Sequence, residues 1–108
     1  MTMADLSSLL SVLEHDPDDP QALAALPAAA RGTPVDERTT RFAVARKLLA
    51  GRGRPDTVAL VLDAEIAATE VADRKADLML EKGMVLEGDL LDVAGARAAF
   101  RDVLALRS

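Results

Sequence analysis

His15 is the only histidine of the chain, and Asp16, Asp18 and Asp19 follow it closely. An imidazole beside several carboxylates is a donor set for a hard cation such as magnesium or calcium. The spacing is not that of an EF-hand loop, and Pro17 and Pro20 interrupt it. The segment therefore reads as a helix break with its caps. Asp73, Asp77 and Glu81 recur at a spacing of four and share one helix face, where like charges repel by a few tenths of a kcal/mol, roughly, per pair. Such a row is either the footprint of a basic partner or a solvated face relieved by Arg74, Lys75 and Lys82. Gly51-Arg52-Gly53-Arg54 could offer amides and guanidiniums to a phosphate. No Lys-Ser/Thr follows and both flanks are helical, so it is no Walker loop and reads as a turn. One histidine, no cysteine, and serines at 7, 8, 11 and 108 assemble no nucleophile–base pair. The expectation is a chain with no enzymatic activity, no cofactor and no metal.

The elements that carry these residues follow from composition. Half of the 108 residues are hydrophobic, but the apolar content is alanine, leucine and valine, with two phenylalanines and no tryptophan or tyrosine. Alanine and leucine are strong helix formers, and alanine permits close interhelical approach. The chain reads as all-α, a single domain over residues 1–108. The net charge of −5 disfavours nucleic acid as a partner, because phosphate neutralisation needs a basic face. No apolar run approaches the roughly eighteen residues of a membrane span, and no basic stretch precedes the apolar residues of the N-terminus. These readings imply a soluble, cytoplasmic protein with no membrane partner.

Six helices are expected. The first spans about 3–15, with a Thr2/Asp5 capping box and a stripe of Leu6, Leu9, Leu10 and Leu13. Asp19 and Pro20 open the second, which Pro27 should shorten or kink and which ends by Gly32. Thr33, as N-cap, and Pro34, as first helical residue, open the third; it carries Val35, Phe42, Ala45 and Leu49 and stops at Gly51. Pro55 opens the fourth, with Ala59, Leu62 and Ile66, and a break falls between Thr69 and Asp73. Ala76, Met79, Leu80, Gly83, Leu86 and Leu90 mark the fifth. After a turn through Asp92, Val93, Ala96, Phe100, Val103 and Leu104 mark the sixth. Short connections imply antiparallel neighbours. Phe42 to Met79 and Leu49 to Leu86 share an offset of 37 residues, a loose internal repeat. Small residues, Gly83 and Ala96, would let the last two helices approach closely, with Phe100 expected in the core.

Three stretches carry a family resemblance: LLSVLEHDPDDPQAL (9–23), AEIAAT (64–69) and KADLMLEKGMVLEGDLLDVAGARAAFRDVLAL (75–106). They resemble tetratricopeptide repeats, most closely the Ala- and Leu-rich arrays common in bacteria of high genomic GC content. In the third stretch Met79 takes the large apolar place, Gly83 the small one, Leu86 the usual tyrosine place, and Ala96 and Phe100 the next two. Lys82 stands where the family has leucine, Val103 stands where it has alanine, and the turn is one residue longer.

The resemblance implies helix-turn-helix pairs stacked as an α-solenoid, serving as a protein-interaction scaffold. Its groove would be lined by Thr40, Ala43 and Lys47 of the third helix and by Asp77, Leu80, Met84 and Glu87 of the fifth. Leu80 and Met84 occupy places that carboxylate-clamping members fill with polar residues. An amphipathic helix, or a peptide with basic flanks, is then the better fit. The alternative is self-assembly, in which terminal helices stack or dimerise. An array that ends at Ser108 without a polar capping helix would be either a fragment of a longer one or a dimer through its apolar end.

Overall fold

The computed structural model describes residues 5–107. It is all-helical, with no strand among the described residues: α1 (Leu6–His15), α2 (Pro20–Arg31), α3 (Val35–Gly51), α4 (Pro55–Ala68), α5 (Ala72–Gly88) and α6 (Val93–Arg107). The helix starts have local causes. Asp19 is the N-cap of α2 and accepts from the amides of Gln21 and Ala22, while Pro20, lacking an N–H, occupies the first helical position. Pro55 does the same for α4. Asp92 Oδ1 accepts from the Gly95 amide at 2.9 Å and caps α6.

Two expected caps are placed differently. Asp5 is itself the N-cap of α1, accepting from the Ser8 amide at 2.8 Å; Thr2 lies outside the described residues. That bond holds the Asp5 carboxyl below the usual carboxylate range. Pro34, rather than Thr33, is the N-cap of α3. The Thr33 hydroxyl instead donates to Ala29 O at 2.9 Å and satisfies a carbonyl at the end of α2. Helix α2 runs on through Pro27 to Arg31, losing only the bond that a residue 27 amide would have made.

Helix α1 packs on α2, α2 on α4, α4 on α3, and α3 back on α1, so the first four helices close a ring. Helix α5 joins through α4, and α6 packs chiefly on α5. The core lies inside the ring. Leu6, Leu9, Leu10 and Leu13 meet Leu26, Phe42, Leu49, Val61 and Leu62 there, and Leu78 enters from α5. Helix α4 touches three neighbours and leaves open only the side that carries Asp56, Leu60, Asp63 and Ala67.

The 37-residue repeat does not carry over as equal burial. Phe42 and Leu49 are fully buried, whereas Met79 and Leu86 are only partly covered. Helix α5 divides its contacts between α4 and α6, so its buried positions fall on two faces, with Leu78 among them. Val35, Val93 and Leu104, expected in apolar stripes, are exposed, and Phe100 is half-buried.

The α5–α6 turn holds Leu91 at φ 54°, in the left-handed region, with its side chain 79% exposed. A non-glycine residue there costs roughly 1–2 kcal/mol. Leu91→Gly is therefore expected to raise stability by about 0.5–1 kcal/mol, after the entropy that glycine gains in the unfolded chain. Urea midpoints measure this; a loss of stability would mean that the Leu91 side chain has a packing role.

Candidate functional site

Helix α5 packs on α4 and touches α3 only through a side chain. Helix α3 lies against α1, and Arg46 Nη2 of α3 reaches Glu81 of α5 at 3.6 Å. The predicted groove residues are all exposed. Thr40, Ala43 and Lys47 are exposed on α3, opposite the buried Phe42, Ala45 and Leu49. Asp77, Leu80, Met84 and Glu87 are exposed on α5, with Leu80 at 39% and Met84 at 64%. Val44 and Leu48 of α3 and Val12 of α1 add further exposed apolar surface. Thr40 is the one predicted groove residue that lines a main hollow of the surface. That hollow, about 720 Å³, lies between α1 and α3, and Leu10 and Val44 contribute its apolar part and Glu14, Asp36 and Glu37 its acids. Across it Arg41 Nη1 donates to Ser7 Oγ at 3.0 Å while its Nε pairs with Glu37.

The α1 side of this site was missing from the sequence reading. Ser7, Ser11 and Glu14 carry no distinguishing motif, and only the packing of α1 beside α3 makes them a wall.

The acidic row of α5 is relieved from other helices than expected. Asp77 pairs with Arg107 of α6 and Glu81 with Arg46 of α3. Arg74 turns instead to Glu65, and Lys82 to Asp63 of α4 at 2.6 Å. Comparison with protein-family models, with curated proteins and with solved structures gives no match.

Beneath the face lies a buried charge cluster. Glu65 of α4 is almost fully buried between Arg46 of α3, in direct hydrogen-bond contact, and Arg74 of α5, at 3.4 Å. Burial pushes the Glu65 carboxyl up, and the two guanidiniums oppose that shift. No buried side-chain polar atom among the described residues lacks a hydrogen-bond partner. The cluster ties the three helices that carry the α3–α5 face to one another, which fixes the spacing of its two ridges.

The other motifs are structural. Gly53 sits at φ 72° and closes the α3–α4 turn, with the Gly53 amide on Ala50 O and the Arg54 amide on Leu49 O, both at 3.0 Å. Arg54 then pairs with both Asp18 and Asp56, so it ties the α1–α2 turn to the start of α4. That pairing holds the Asp56 carboxyl below its ordinary range. Near His15, whose ring Nδ1 lies 2.9 Å from Ser11 O, Asp16 accepts from the Asp18 amide and Asp19 caps α2. No group of three or more potential metal ligands occurs among the described residues, and no described helix is long and apolar enough to cross a membrane.

Proposed function

We propose that this chain is a non-catalytic, cytoplasmic scaffold that docks a partner protein through its α1–α3–α5 face, as the tetratricopeptide resemblance suggests. The occupant is an amphipathic helix with basic flanks. The observation that carries this reading is the exposure of Leu80 and Met84 on α5 and of Val44 and Leu48 on α3, two helices joined by the Arg46–Glu81 pair. Exposed apolar side chains in company are the mark of an interaction surface. The surrounding charge selects the flanks: Glu37 is paired with Arg41, but Glu14, Asp36, Asp73 and Glu87 also stand on these helices, against Lys47.

The test is capture from the native lysate on the wild type and on a folded Leu80→Glu, Met84→Glu variant. The recovered protein should contain a basic amphipathic segment. As a synthetic peptide, that segment should bind the wild type at least about tenfold more tightly than the variant, since two apolar contacts are replaced by charge. Equal binding to both would sink the placement.

Self-assembly is the second reading, favoured by the outer side of α6, where Leu104 is 71% exposed and Val93 is also open. Sedimentation of the pure chain over a wide concentration range separates the two. Association abolished by Leu104→Glu supports self-assembly, and a monomer at every concentration removes it.

A further inference from the structure

A second hollow, about 470 Å³, opens where the end of α2 and the start of α3 meet the end of α4 and the start of α5. Its wall contains Arg31, Arg38 and Arg74 against one carboxylate, Glu70. In a chain of net charge −5 that local balance is reversed. Two of the three guanidiniums have no ion pair with a described residue, and the third, Arg74, is shared with Glu65. Arg31 has no described carboxylate partner. Arg38 is 8% exposed, gives one N–H to Ala30 O at 3.2 Å, and pairs with no described acid. Arg74 holds Glu65 only at 3.4 Å and keeps over a third of its side chain accessible. The starts of α3 and α5 border the same hollow, and neither has a side-chain cap on its first amides. Asp36 and Glu37, in the first turn of α3, line the α1–α3 hollow instead. The rest of the wall combines three threonines with apolar side chains that include Val35 and Val71.

We propose that this hollow binds a small organic phosphate, with the phosphoryl group on the arginines and an apolar body against Val35 and Val71. A carboxylate presents only two oxygens, in one plane, and a single charge. Three guanidiniums and two uncapped helix starts match the three terminal oxygens and double charge of a phosphate monoester. The site lies apart from the α1–α3–α5 face, so it stands or falls independently of the scaffold reading.

The experiment is an NMR titration of the methyl-labelled chain with phenyl phosphate, inorganic phosphate and benzoate. Saturable shifts at the Val35 and Val71 methyls are expected with phenyl phosphate, with weaker binding of the other two probes. Arg31→Gln, an exposed change that leaves the fold intact, should weaken phenyl phosphate by about tenfold, the effect of losing one charge-assisted contact. Glu70→Gln should tighten it severalfold, and Arg52→Gln, remote in the α3–α4 turn, should change nothing. Absence of saturable shifts at millimolar phenyl phosphate would overturn the proposal. So would benzoate binding as tightly as phenyl phosphate, or affinities indifferent to Arg31→Gln and Glu70→Gln.

Discussion

Replacing Arg46 with alanine should destabilise the fold by about 3 kcal/mol at neutral pH, among the largest effects of any charged residue in the chain. The substitution strands Glu65, whose side chain is 2% exposed, in a helix buried on nearly every face. Arg74 stays near it, which keeps the loss toward the low end of the ~3–5 kcal/mol that a broken buried pair costs. The pH dependence identifies the cause. The folded Glu65 carboxyl already lies above its ordinary range because of burial. A group raised in this way contributes stability below its unfolded pKa and loses it as pH rises through the folded value. Arg46→Ala removes the stronger opposing charge, so the shift grows and the deficit at neutral pH grows with it. Urea denaturation of variant and wild type should therefore converge as pH falls toward the ordinary glutamate range. An additional Glu65→Gln change should flatten the difference. A deficit constant across pH would mean that lost packing of the arginine stem, not the stranded carboxylate, is responsible. Replacing Arg46 and Glu65 together by methionine and leucine should come close to wild-type stability, since the desolvation cost of the charges then disappears.

The helix boundaries were legible because they are set by single residues with one physical effect each. Pro20 and Pro55 lack an amide, Asp19 supplies an acceptor, and Gly53 takes a positive φ. Thr33 was misplaced for a reason that spacing does not contain. A threonine between two helices can serve either one, and with Pro34 already in the N-cap position its hydroxyl turns back to Ala29. Glu65 was overlooked, although a signal existed. Asp56, Leu60, Asp63 and Ala67 mark the one open side of α4, and Glu65 falls on the opposite side with Val58, Val61 and Leu62, so that acid has to be buried and needs a cation. Which cations meet it depends on α3 and α5 both covering α4, and that is a tertiary fact.

The face itself was half legible. Positions 80 and 84 share a side of α5 in any helical register, yet spacing alone cannot distinguish a ridge facing solvent from one facing a neighbour. The packing of α5 decides it, because Leu78 and Val85 turn toward the main core and Gly83 toward α6. Leu80 and Met84 are then left outside. The arginine hollow was illegible, since Arg31, Arg38 and Arg74 come from three helices and converge only when the hairpin ends meet.

The chain's two phenylalanines should respond to truncation by very different amounts. Phe42 is fully buried inside the four-helix ring, with Leu49, Ala45 and the leucines of α1 and α2 in the same cluster. Phe42→Ala removes the largest buried side chain and leaves a cavity that the rigid ring closes only in part, so a loss of about 3–5 kcal/mol is expected. Phe100 has the same chemistry in another setting. Its ring lies over Gly83 on the α5–α6 contact, half-buried and outside the main core, so Phe100→Ala should cost about 1–2 kcal/mol. The ring lies where a β-carbon at residue 83 would stand: Cε1 would be 2.5 Å from it, and Cδ1 and Cζ 2.9 Å. Gly83→Leu should therefore push α6 away from α5 in the wild type, and be milder in a Phe100→Ala background, where the space is vacated. Chemical denaturation of the two single variants and the Gly83/Phe100 double cycle measures all of this. Equal losses for the two phenylalanines would place the α5–α6 hairpin inside the cooperative core. Additive effects at 83 and 100 would mean that the two residues do not touch.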